Sequence, residues 1–207
     1  MKKANWYFDF LSPFAYLQNC RLDEFPSDLQ INRKPLLFAG LLKHWGTKGP
    51  AELSSKRLFS YRHVQWLAGK LGVSLLFPEK HPFNPINLLR LCIAANCSKK
   101  AVDAIFNCVW VEGLSGDDPG NWTRFCEAVK IPESEASEKT SSPEIKQELK
   151  LNCEEAIEQG VFGVPTLVVE GNLFWGFDTT NMAIEYLSDP KMFVSSEMKR
   201  LETLPGY

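Results

Sequence analysis

The alternation of apolar and polar positions divides the chain into three stretches. Near the start, Asn5 to Phe10 is a short aromatic and apolar run of the kind that fills a central strand. Ser12-Pro13 follows, with a hydroxyl suited to an N-cap and a proline suited to the first helical position. The spacing predicts a helix from there to about Glu24, with Tyr16 and Cys20 on one face, broken by Pro26-Ser27-Asp28. Leu29 to Phe38 reads as a second strand, weakened in its middle by Arg33, Lys34 and Pro35.

From about Leu41 to Gly160 the period is mostly helical. Gly46 to Pro50 is a basic loop, after which Leu53 to Leu71 reads as a helix with Tyr61 and Trp66 among its apolar positions. Three prolines make Pro78 to Pro85 a loop, and Asn84-Pro85 has the form of another cap and first-turn pair. A helix carrying Leu88, Leu89, Leu91 and Cys92 ends near Asn96, and another spans Ala101 to Glu112 before Gly113. Trp122 to Val129 is a short helix, Glu133 to Ser142 reads as a polar, acidic surface loop, and Ser142-Pro143 caps a helix that stops at Gly160. Then the pattern changes again. Thr166 to Glu170 is a strand, Gly171-Asn172 a turn, Leu173 to Trp175 the returning strand, and Asp178 opens a last helix ending near Leu187.

Strands at both ends and helices between them predict an α/β protein in which one sheet is built from residues 1–40 and 161–207. An all-helical unit, 41–160, is inserted between its halves. The composition is that of an ordinary globular chain, 44% hydrophobic and 23% charged. The net charge of −2 implies no polyanion, and no basic stripe carries the interleaved aromatics expected of a nucleic-acid binder. The charge is nevertheless uneven: residues 1–100 carry 15 Lys and Arg against 6 Asp and Glu, and residues 101–207 carry 8 against 19. That split reads either as two solvated faces or as a basic half offering cations to a small anion. No apolar run is long enough for a membrane span, and Trp6 to Leu11, which contains Asp9, is too short for a secretory segment. The expected location is the cytoplasm, where Cys20, Cys92, Cys97, Cys108, Cys126 and Cys153, none spaced Cys-x-x-Cys, read as reduced thiols. His44, His63 and His81 match no metal-ligand spacing, so no metal is expected.

Two short segments carry candidate chemistry. Ser12 stands where a strand gives way to a helix, with no base beside it in the sequence, which disfavours a hydrolytic triad. It reads either as a simple N-cap or as a donor to another molecule's sulfur. Gly163-Val164-Pro165-Thr166 stands where a helix gives way to a strand. It reads either as an ordinary trans proline or as a cis-proline that leaves the Val164 backbone open to a peptide-like ligand.

Taken together, Ser12-Pro13 after an N-terminal strand and Val164-Pro165-Thr166 before a hairpin resemble the thioredoxin superfamily of the DsbA type, with Ser12 to Ala15 where its oxidoreductases carry Cys-x-x-Cys. Phe8-Asp9-Phe10-Leu11-Ser12-Pro13-Phe14-Ala15-Tyr16, His81-Pro82-Phe83-Asn84-Pro85, Phe162 to Thr166 and Leu173 to Asp178 look more narrowly like the 2-hydroxychromene-2-carboxylate isomerases, relatives of kappa-class glutathione transferases. That resemblance implies a thioredoxin-like fold with an inserted helical domain, glutathione as cofactor, a small aromatic carboxylate as substrate, and a homodimer. It implies that Ser12 hydrogen-bonds the glutathione sulfur, that Val164, beside Pro165, pairs with the tripeptide backbone, and that Asp178 and Thr179 hold its γ-glutamyl end. Asp178 also reads as a helix cap, and both roles can hold at once; Asn84, which the resemblance assigns to the substrate with Lys43, Thr47 and Lys48, has the same double reading. Thr47 departs from the asparagine of many relatives, which leaves the substrate more open than the cofactor. Phe14, Trp45 and Trp175 read as an aromatic pocket or as core. A transferase or peroxidase using the same thiolate, a thiol–disulfide oxidoreductase and a non-catalytic peptide-binding module are the alternatives.

Overall fold

The structure is a computed structural model that describes residues 2–205. Four strands form one sheet in the order β2-β1-β3-β4: β1 (Lys2–Phe8), β2 (Leu29–Pro35), β3 (Thr166–Val169) and β4 (Asn172–Trp175). β1 runs parallel to β2 and antiparallel to β3, and β3 and β4 form a hairpin. The β1 side chains alternate between faces as a strand requires. Ala4, Trp6 and Phe8 join the larger core, and Tyr7 joins the smaller one on the other face.

On the larger face lie α1 (Pro13–Asn19) and α9 (Thr180–Ser188), together with most of the helices that separate β2 from β3. These are α3 (Ser54–Leu71), α4 (Ile86–Ala94), α5 (Lys99–Trp110), α6 (Trp122–Val129) and α7 (Glu133–Ser141). Phe106 of α5 packs against Trp6, Phe8, Phe10 and Tyr16, so the helices and the sheet share one continuous core. On the smaller face, Leu41 of α2 (Phe38–Trp45) and Ala156 of α8 (Pro143–Glu158) pack with Tyr7, Leu36, Val161 and Val168. A short helix, α10 (Ser196–Leu201), follows α9.

The structure departs from the sequence expectations in several places. Helix α1 ends at Asn19, and only a 3-10 turn, Leu22–Glu24, continues toward Pro26. The second strand stops at Pro35, and Phe38 begins α2. Glu133–Ser141 is a helix: Ala136 and Thr140, four residues apart, are buried on one face, and Glu135 pairs with Lys139 on the other. The hairpin turn is Glu170-Gly171, one residue earlier than expected, and both residues have the positive φ that such a turn needs.

Candidate active site

The site is assembled at one end of the central strands. Tyr7 pairs with Thr166, so the end of β1 and the start of β3 lie at the same edge of the sheet. The turn that carries Ser12 therefore stands beside the turn that carries Val164. The Val164–Pro165 peptide bond is cis, as expected.

Ser12 is buried, in extended conformation, and caps α1: its Oγ accepts from the Ala15 N–H at 3.3 Å. It makes no other side-chain hydrogen bond to the described residues, so its own proton has no acceptor among them. The turn before it is held at almost every polar group. Ser12 N–H donates to the Asp9 carbonyl at 3.0 Å, and Leu11 N–H donates to Asp9 Oδ1 at 3.1 Å. Two ring donors from the helical stretch take the successive carbonyls. Trp110 Nε1 donates to Phe10 O at 2.9 Å, and His81 Nε2 lies 2.7 Å from Leu11 O. Leu11 O can only accept, so Nε2 is the donor; Nδ1 lies 2.6 Å from the Tyr61 hydroxyl, which also donates to His81 O at 3.1 Å. The ring is enclosed by Tyr61, Phe77, Phe83 and Trp110, and this burial lowers its pKa against the pull of the Leu11 carbonyl.

Asp9 is fully buried and ties this turn to α2: its Oδ2 accepts from Phe38 N–H at 2.9 Å. Burial raises its carboxyl from 3.8 to about 7, although the amides of Phe38, Leu11 and Phe10 oppose the shift. Sequence reasoning assigned no role to Asp9, His81 or Trp110. The signal was present in one case, a lone carboxylate between Phe8 and Phe10 in an otherwise apolar strand end.

Val164 is half-buried, and its backbone N–H and C=O make no hydrogen bond to the described residues, while the neighbouring Pro165 carbonyl accepts from Gly176 N–H at 2.8 Å. Asp178 and Thr179 lie in a 3-10 turn, Phe177–Thr179. That turn is fixed against α1 by Gln18, a buried side chain whose role sequence reasoning also missed. Gln18 accepts from Trp6 Nε1 at 2.7 Å and donates to Gly176 O and Thr180 Oγ1, both at 3.1 Å. Asp178 does not open the last helix: Thr179 holds the N-cap position of α9, and no side chain caps it. The Asp178 carboxylate is exposed and without a partner among the described residues, whereas Thr179 Oγ1 donates to Gly176 O at 3.0 Å.

The end of α2, which leads into the basic loop, is tied to the chain just before Val164. Trp45 Nε1 donates to Val161 O at 3.0 Å, which anchors the end of α2 beside the approach to Val164. Lys43, Thr47 and Lys48 are exposed there, and neither lysine forms an ion pair among the described residues. Asn84 lies three residues beyond His81 and is exposed. Its Oδ1 accepts from Ile86 N–H at 3.1 Å, so it stabilises the first turn of α4, although Pro85 holds the cap position. Trp175 and Trp45 are half-exposed, and Trp175 packs edge-on against Phe162.

A thioredoxin-type sheet with a helical insertion, a serine at the start of α1 and a cis-proline before β3 defines the DsbA-like thioredoxin class. The family model for the DSBA-like thioredoxin domain matches residues 4–188, and the chain belongs to that family. Within it, the chain belongs with the 2-hydroxychromene-2-carboxylate isomerases. It is 31% identical over 180 residues to the one from Pseudomonas putida, covering 84% of this chain and 89% of the relative. The one from Sphingobium xenophagum is 27% identical, over 91% and 99% of the two chains. A solved structure of a selenomethionine 2-hydroxychromene-2-carboxylate isomerase superposes with a TM-score of 0.80 at 28% identity, over 94% of this chain and 100% of that one. Human glutathione S-transferase kappa 1 is 25% identical, over 90% and 91%.

Proposed function

We propose that this chain is a glutathione-dependent isomerase that interconverts 2-hydroxychromene-2-carboxylate and trans-o-hydroxybenzylidenepyruvate, or a similar aromatic carboxylate, acting as a homodimer in the cytoplasm. The observation that carries the reading is the juxtaposition of a hydroxyl with an uncommitted proton, Ser12, and an open backbone at Val164, in a chain whose curated relatives include isomerases. The kappa-class relative supports glutathione as the cofactor.

The residues present fit a γ-glutamyl tripeptide. Val164 offers one N–H and one C=O, as an added strand requires. Asp178 offers an unpaired carboxylate to an ammonium group, and Thr179 stands beside it. Bound glutathione would supply a thiolate that adds reversibly to a conjugated carbon, so that a bond fixed by conjugation can rotate before elimination. The Ser12 O–H donates to the sulfur and favours its ionised form. A free thiol of pKa about 8.5 is only slightly ionised at neutral pH, and lowering it by two units is worth about 2.7 kcal/mol. Lys43 and Lys48 attract the substrate carboxylate, Thr47 and Asn84 contact the substrate beside them, and Phe14, Trp45 and Trp175 flank its ring.

The test has two stages. Glutathione should raise the melting temperature in proportion to the logarithm of its concentration once binding saturates. Glutathione-dependent turnover of the chromene should then appear by absorbance. Binding without turnover, but with conjugation of electrophiles, would favour a kappa-type transferase. Absence of both shift and binding heat would remove the cofactor.

A further inference from the structure

Helix α4 ends in a cap that involves two cysteines. Asn96 N–H donates to Ile93 O at 2.8 Å and Cys97 N–H to Cys92 O at 2.9 Å, with Asn96 in the left-handed region at φ 57°. These are the paired bonds of a Schellman motif, which brings the residue after the left-handed position against the residue five before it. That contact is ordinarily made by two apolar side chains. Here both positions are cysteines, Cys92 buried and Cys97 half-exposed, and the Cys97 thiol is among the groups that raise the Cys92 pKa. Of the other cysteines, Cys108 faces the Glu112 carboxylate, with Sγ 3.8 Å from Oε1.

We propose that Cys92 and Cys97 are a reversible redox pair, in which a low-molecular-weight disulfide such as glutathione disulfide closes a bond across the C-terminal cap of α4. This goes beyond the isomerase reading and does not use the Ser12 site. The 2.9 Å bond from Cys97 N–H to Cys92 O brings the two main chains together across the cap, the first thing a disulfide between them requires. Cys97, the accessible member, attacks as thiolate on one sulfur of the oxidant, forms a mixed disulfide and expels one thiol. Cys92 then gives up its proton and attacks the Cys97 sulfur, expelling the second thiol. Both cysteines are oxidised and the small disulfide is reduced to two thiols. Burial raises the Cys92 pKa, which makes the second step the slow one. The loop enclosed is short, so little chain entropy is removed and the bond is labile, not structural.

The full chain would be equilibrated with glutathione disulfide, its free thiols alkylated, and the protein digested with trypsin. Cleavage after Arg90 and Lys99 leaves Cys92 and Cys97 in one peptide. The expected product is that peptide without alkyl groups and lighter by two hydrogens, returned to the doubly alkylated form by dithiothreitol. Cys92→Ala should stop at a stable glutathione adduct on Cys97, and Cys97→Ser should leave Cys92 alkylatable after denaturation. A wild-type peptide that stays fully alkylatable, or that accumulates the same Cys97 adduct as Cys92→Ala, would overturn the proposal. So would an equal yield of disulfides joining other cysteines.

Discussion

At the scale of single residues, Ser12 has one structural duty and a second proposed one. Ser12→Ala removes a single capping bond and should cost about 1 kcal/mol of stability. If the hydroxyl also donates to sulfur, the bound thiol's pKa should rise, seen as thiolate absorbance appearing only at higher pH. Turnover at neutral pH should then drop and recover partly in alkali. A pH–rate profile identical to wild type would leave Ser12 as a cap alone. Asp9 and His81, which grip the same turn, titrate with opposite consequences. Folding raises the Asp9 carboxyl from 3.8 to about 7, so the folded state holds an extra proton between about pH 4 and 7 and loses stability as pH rises through that window. His81 is lowered below 6.5, so the unfolded chain takes up the proton first and stability is lost as pH falls below that value. Each slope is at most about 1.4 kcal/mol per pH unit. Urea unfolding from pH 4.5 to 8 should therefore show a steeper rise of stability with pH in Asp9→Asn and a steeper fall in His81→Gln. Three parallel curves would show that neither group titrates there.

At the scale of elements, what was legible in the sequence was what neighbours along the chain decide. Ser12-Pro13 and Ser142-Pro143 cap their helices with their own hydroxyls, and both starts were read correctly. The start of α2 was missed because its first amide is satisfied by Asp9, a carboxylate from a distant segment that no local pattern reveals. Helix α7 was missed because its buried face is only Ala136 and Thr140, too narrow a stripe to outweigh its acidic composition. Much the same holds for the site: Ser12, Val164 and Asp178 lie in recognisable motifs, whereas Gln18, His81 and Trp110 act through contacts only the fold creates. The β3–β4 hairpin carries one sharp constraint. A Cβ on Gly163 would meet the Trp175 indole nitrogen, so that ring closes directly over the residue before Val164. Gly163→Ala should push Trp175 away from Phe162, cost about 1–3 kcal/mol and weaken glutathione binding more than Trp175→Phe does. Calorimetry on the two variants provides the comparison.

At the scale of the whole molecule, the helical stretch does more than cover the sheet: it grips the site turn through the two ring donors on Phe10 and Leu11. Trp110→Phe keeps an aromatic ring but leaves the buried Phe10 carbonyl unpaired, which should cost about 1–3 kcal/mol on top of the cavity left by the smaller ring. The loss should appear in glutathione affinity as well as in melting temperature. A loss confined to melting temperature would mean that the tether supports the fold without positioning Ser12. The order in which the sheet is made has a further consequence during synthesis. Its central strand, β1, is made before the whole helical stretch, but the partner for one of its edges is β3, which follows that stretch. At about 5–20 residues per second, roughly ten to thirty seconds separate the two. Throughout that interval the nascent chain presents an apolar strand with one edge unpaired, so capture by chaperones or by other nascent chains competes with folding until β3 has been made.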